Sequence, residues 1–175
     1  MRDSTPSKTP NLLYTPEEKL RRDKTRWTLV QGILAPVQFL VFIVSAVLVL
    51  RFLATGEGYA VATISVIVKT GFLYLIMITG AIWEKVVFGQ YLFAPAFFWE
   101  DVFSFGVIAL HTAYLIGLYL GIPGPTGLML LALAAYVAYV INAGQFLLKL
   151  RAARLQAEAV AGQSPDATPA GGVMA

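Results

Sequence analysis

The chain has no cysteine and only one histidine in 175 residues. Without thiols, disulfides, thiolate zinc sites, iron–sulfur clusters and cysteine nucleophiles are excluded. A single imidazole also excludes a bis-histidine haem site within one chain. Charge is scarce: Asp, Glu, Lys and Arg make up 13% of the residues, against about a quarter in soluble domains. The sequence is instead 58% hydrophobic, with a mean hydropathy of +0.71. Lipid rather than water is the expected solvent. The length allows one domain, there is no internal repeat, and nucleic acid is not an expected partner.

The apolar residues fall into four runs, 27–50, 59–83, 102–120 and 127–148, of 24, 25, 19 and 22 residues. A bilayer core of about 30 Å needs roughly 20 helical residues. Backbone polar groups in lipid must be satisfied within the segment, so the runs predict helices and not strands. The expected fold class is therefore all-α, an integral membrane four-helix bundle over 27–150. Residues 1–26 form a polar N-terminal segment in which Thr15 and Pro16 mark a helix start. A secretory signal is not expected, because the charged lead and the first apolar run are both too long. Pro36 predicts a local kink in the first run. Residues 151–175 predict a basic and then disordered tail, with disorder after Gln156. Eleven Lys or Arg residues fall on one side of the predicted spans, Arg51 alone on the other, and Lys69 inside. The positive-inside rule then places both termini in the cytoplasm.

The segment Glu84–Asp101, EKVVFGQYLFAPAFFWED, is too apolar for an ordinary loop. Nine of the 22 aromatic residues lie between Trp83 and Phe105. It predicts an interfacial or re-entrant element between the second and third spans. An aromatic belt and a ligand-binding platform both remain open readings.

Ionisable residues inside a span cost about 2.5–3.5 kcal/mol each on insertion scales, so each needs a reason. Lys69 and His111 fall at similar depth near the midplane. Glu84, Glu100, Asp101 and Ser104 form a second polar level, with Gln31, Asn142 and Gln145 at comparable depth. At 100° per residue Glu100, Ser104, Val107 and His111 share one helix face within about 60°. Glu100 and His111 are about 16 Å apart along the axis, a span that one large flat ligand could bridge. Plainer roles stand beside these: a neutral structural imidazole for His111, snorkelling for Lys69, helix-dipole partners for Asp101 and Glu100, an interfacial anchor for Glu84–Lys85. The functional reading expects these groups to converge on a shared cavity between the spans.

Several stretches, TRWTLVQGILAPVQFLVF, IVKT, GAIWEKVVFGQYLFAPAFFWEDVFS, ALHTAYL and YVINAGQFLLKLRAARLQ, closely resemble the vinyl bacteriochlorophyllide hydratase family, over Leu13 to Gln156. The resemblance implies a hydro-lyase of bacteriochlorophyll biosynthesis. Such an enzyme adds water to the C3 vinyl group of chlorophyllide a or a bacteriochlorophyllide, giving a 1-hydroxyethyl group. It implies a bacterial cytoplasmic or intracytoplasmic photosynthetic membrane, membrane lipid as surroundings, other enzymes of the same biosynthesis as partners, and no cofactor beyond the magnesium of the substrate. It carries over no catalytic residues.

The chemistry needs a proton donor, a group that orients water, and charge to stabilise a cation conjugated with the macrocycle. A buried carboxylic acid can stay protonated near neutral pH because desolvation disfavours its charged form. Glu100 is the expected acid, with Asp101 or Glu84 as the water-positioning base. Phe97, Trp99 and Tyr91 are expected to stack on the pigment. His111 or Asn142 could meet the magnesium axially, although hard Mg²⁺ generally prefers oxygen, and Lys69 could pair with a propionate or ring carbonyl. The protein itself is expected to bind no metal. Two alternatives are a non-catalytic pigment-binding or assembly protein, which would not need the carboxylates, and a small transporter, which the lack of repeat symmetry disfavours.

Overall fold

A computed structural model of the chain describes residues 13–162, all helix and connecting turns. Five helices follow in order: α1 (Pro16–Lys24), α2 (Arg26–Thr55), α3 (Tyr59–Phe88), α4 (Phe98–Leu120) and α5 (Pro125–Gly162). The last four contain stretches long and apolar enough to cross a membrane. The short α1 precedes the four long helices and starts at Pro16, where Thr15 and Pro16 mark a helix start in the sequence. It starts in a capping box in which the Glu18 N–H donates to Thr15 Oγ1 and the Thr15 N–H donates to Glu18 Oε2 at 2.8 Å. Pro36 lies inside a continuous α2.

Helices α2 and α3 pack as one antiparallel pair, α4 and α5 as another, and α2 and α3 both touch α5. The core runs along the bundle axis through Phe42, Val49, Val66, Val107, Tyr114 and Tyr136. Leu29, Leu40, Val44, Ile64 and Ile78 point outward, as expected where lipid is as apolar as the side chain. Polar cross-links add direction. The Ser45 hydroxyl meets both Ser65 and Tyr136, and Tyr74 meets Thr112 across α3 and α4 at 2.7 Å.

The helix ends differ from the hydropathy boundaries. Helix α3 runs on to Phe88 and α4 begins at Phe98, so Glu84, Glu100 and Asp101 are helical and the connecting segment shrinks to 89–97. Gly89, at φ +87°, ends α3 in a left-handed conformation that a residue with a Cβ adopts poorly. Helix α5 continues through Gly162, past the predicted start of disorder. The sequence RAARLQAEA favours helix, and Arg154 pairs with Glu158 at 2.9 Å. The tail expected after Gly162 lies outside the described residues, as do the first 12 residues of the N-terminal segment.

Candidate active site

Three helices bring four charged side chains to one end of the bundle. Glu84 comes from the last turn of α3, Glu100 and Asp101 from the first turn of α4, and Lys149 from α5. Glu84, Glu100 and Asp101 are buried, at 5%, 8% and 8% exposure. Their adjacency in sequence does not make Glu100 and Asp101 a pair, because successive helical residues point about 100° apart. Glu100 turns to α5, where its Oε2 accepts from Lys149 Nζ at 2.6 Å. Asp101 turns to α3, where its carboxyl and that of Glu84 lie beneath two consecutive backbone donors.

The 89–97 segment closes over this carboxyl pair. The Phe93 N–H donates to Asp101 Oδ2 at 2.6 Å, and the next N–H, of Ala94, donates to Glu84 Oε2 at 3.3 Å. Phe93 has φ +59°, uncommon for a residue with a large side chain. Two consecutive backbone donors are thereby aimed at two acids, an arrangement that stores strain at a polar site.

The aromatic residues divide into two groups. Phe97 is 1% exposed and packs among Tyr14, Trp83, Phe88 and Phe146, with Lys149 Nζ 5.1 Å from its ring centroid. It is an internal packing residue in this arrangement, not a surface on which a pigment could stack. Tyr91 and Trp99 are exposed, at 61% and 66%. Beside them Phe93 stacks on Phe105, with centroids 5.5 Å apart, and tilts against Phe98. These rings form an apolar aromatic surface next to the Glu84–Asp101 pair.

The inward face expected on α4 is present: Glu100, Val107 and His111 are buried, and Ser104 accepts from Asn142 Nδ2 at 2.9 Å. Asn142 Oδ1 and Gln145 Oε1 are buried without a partner among the described residues. Lys69 and His111 are sealed in the bundle at 0% exposure, ten residues of α4 from the carboxyl level. The single shared hollow expected for all these groups is therefore not what the fold builds; they form two separate polar levels. An apolar groove of about 470 Å³ lies between α4 and α5, lined by Val102, Gly106, Leu110, Ala138 and Ile141. Another of about 380 Å³ lies between α2 and α3, lined by Leu40, Val44, Val61 and Ile64. Neither reaches the acids, Lys69 or His111. Among the described residues no cluster of three or more His, Asp or Glu side chains is arranged to hold a metal ion.

Lys149 is the site residue that the sequence reading missed; it served there only as a basic flank that set orientation. Its depth was the available signal, because the start of the third run and the end of the fourth lie at the same membrane edge. The Phe93 and Ala94 donors belong to the backbone and leave no residue-type signature.

Residues 14–152 match the family model described as 2-vinyl bacteriochlorophyllide hydratase, a range from the approach to α1 deep into α5. The chain belongs to this family. A 2-vinyl bacteriochlorophyllide hydratase of Cereibacter sphaeroides is 69% identical over 160 residues, covering 91% of this chain and 99% of the relative. One of Rhodobacter capsulatus is 74% identical over 145 residues, covering 83% of this chain and 84% of the relative. No solved structure matches the chain. The family match takes in all four members of the charged cluster, Glu84, Glu100, Asp101 and Lys149.

Proposed function

We propose that this protein is a hydro-lyase that adds water to the vinyl group of a bacteriochlorophyllide or chlorophyllide, making the 1-hydroxyethyl pigment of bacteriochlorophyll biosynthesis. The observation that carries this is 69% identity extending over 99% of a relative named for that hydration. The geometry adds a place for the chemistry, a buried carboxyl pair beside an exposed aromatic surface.

In this reading the proton resides on the Glu84–Asp101 pair. Two buried carboxyls brought this close resist carrying two charges, which favours keeping one proton on the pair. Glu100, the acid expected from sequence, is already committed to Lys149 as an ion pair, so the donor role passes to its neighbours. The pair gives its proton to the terminal vinyl carbon, and the π electrons form the new C–H bond. The cation left on the inner carbon is spread over the macrocycle and stabilised by the carboxylates. The oxygen of water bonds to that carbon and releases a proton to the ionised pair, restoring it. No electrons are gained or lost, so no redox cofactor is needed, and magnesium takes part only as a component of the pigment.

The pigment approaches from the bilayer and lies on the surface formed by Tyr91, Phe93, Phe98, Trp99 and Phe105. Asn142, whose carbonyl oxygen has no partner among the described residues, remains a candidate contact for a polar edge of the ring. His111 and Lys69 lie too deep to touch a macrocycle in this arrangement. The charge asymmetry supports a multi-pass protein of a bacterial cytoplasmic or intracytoplasmic membrane, with both termini and the 89–97 segment on the cytoplasmic side. Other enzymes of the same biosynthesis are the natural sources and acceptors of its pigments.

The test is incubation of purified membranes containing the protein with chlorophyllide a. The expected product is heavier by one water, with its red absorption band moved to shorter wavelength as vinyl conjugation is lost. Tight binding of unchanged pigment by the folded protein would overturn the proposal in favour of a carrier.

A further inference from the structure

Helices α3 and α4 carry the two halves of the carboxyl pair, yet they share a smaller contact than either antiparallel helix pair. Partway along them the hydroxyls of Tyr74 and Thr112 are hydrogen-bonded at 2.7 Å. At a similar level lie two groups with no hydrogen-bond partner among the described residues: Lys69 Nζ on α3 and His111 Nε2 on α4. Both side chains are fully buried. They converge on one turn of α5, with Lys69 Nζ 4.0 Å from the Tyr139 ring centroid and the His111 ring 5.9 Å from that of Tyr136.

The imidazole is fixed by its other nitrogen. His111 Nδ1 lies 2.8 Å from the Val107 carbonyl oxygen, which can only accept. Nδ1 therefore carries the hydrogen, and Nε2 presents a lone pair. Lys69 presents N–H donors. A ligand serving both must accept from the lysine and donate to the imidazole. It must also be small, because both groups are fully buried, Lys69 against Tyr139 and His111 beside Tyr136. Water meets all three conditions, and buried waters commonly join polar groups left without protein partners.

We propose that Lys69 and His111 hold one buried water between α3 and α4, and that this bridge positions the Glu84 and Asp101 ends of the same helices. Only the second half rests on the proposed hydration. Along α4 the bridge stands about 15 Å from Asp101, so it acts through helix placement and not by contact with the reacting atoms.

His111 is the only histidine, so nitrogen-15 labelling of histidine in the full-length protein, in lipid nanodiscs, reports a single ring. The expected spectrum shows the Nδ1–H tautomer, an Nε2 accepting a hydrogen bond, and a cross-peak to water that exchanges slowly with bulk. In Lys69→Met the water cross-peak should be lost. In the hydration assay Lys69→Met and His111→Leu should lower kcat roughly ten- to a hundredfold, the scale of a small misplacement of reacting groups, with KM little changed. An Nε2–H tautomer or an Nε2 without a water contact would overturn the water site. So would an Nε2 signal that moves on adding a magnesium chlorin, because the pigment's metal would then be the ligand. Unchanged kcat in folded variants would overturn the positioning role. If Lys69→Met does not fold, the wild-type spectrum decides the water and His111→Leu the positioning. Failure of wild-type hydration would remove the proposed function and leave the spectroscopic result standing.

Discussion

Replacing Asp101 by asparagine keeps an oxygen for the Phe93 N–H and removes the exchangeable carboxyl proton; Glu84→Gln does the same beneath Ala94. Each should lower hydration about 10²–10⁴-fold, the usual worth of general acid–base catalysis, with the thermal midpoint in detergent little changed. Glu100→Gln should retain clearly more activity than Asp101→Asn, because its partner is Lys149 and not the reactant. Retention of full activity by Asp101→Asn would remove the pair from the mechanism. Lys149→Met leaves the largely buried Glu100 without its cation and should cost about 1–3 kcal/mol of stability, measured by thermal unfolding. The three acids were legible in the sequence because charge is expensive in an apolar run. Their partners were not. Which of two adjacent carboxyls turns toward α3 and which toward α5 depends on helix rotation, and composition does not report that rotation.

The four apolar runs were legible as helices because a span cannot leave its backbone unsatisfied. Their ends were not, because hydropathy falls at Glu84 while the hydrogen-bonded helix continues to Gly89. The α4–α5 turn supplies a test at this scale. A Cβ built on Gly117 would come 2.7 Å from the Ile122 carbonyl oxygen and 3.0 Å from Leu128 Cδ2. Backbone cannot step aside as a flexible side chain can, so Gly117→Ala should destabilise the protein by about 1–3 kcal/mol. Gly106, on the lipid side of α4, has nothing within 4 Å of such a Cβ. Gly106→Ala should therefore stay within about 0.5 kcal/mol of the parent. Thermal unfolding of the two variants side by side checks the contrast, and equal midpoints would contradict it.

For the whole molecule, the absence of cysteine makes the orientation easy to test. Glu57, in the exposed turn after α2, and Gln90, in the segment after α3, can each be replaced by cysteine without competing thiols. A membrane-impermeant maleimide added to intact spheroplasts should label the first and reach the second only after permeabilisation. The opposite pattern would reverse the topology and place the charged cluster at the other membrane face. Charge counting could suggest this orientation. The two polar depths were legible from helical rise, but their separation was not, because Lys69 and His111 pack against Tyr139 and Tyr136 while the acids gather beneath Phe93.

The latch over the acids also bears on stereochemistry. Asp101 Oδ2 and Glu84 Oε2 each accept from a backbone N–H, which fixes how the two acids face a reactant. A vinyl group held against two oxygens fixed in this way presents a single side to the incoming hydroxyl. The new carbinol carbon should then emerge with one handedness, and chiral chromatography of the product would read that enantiomeric preference directly.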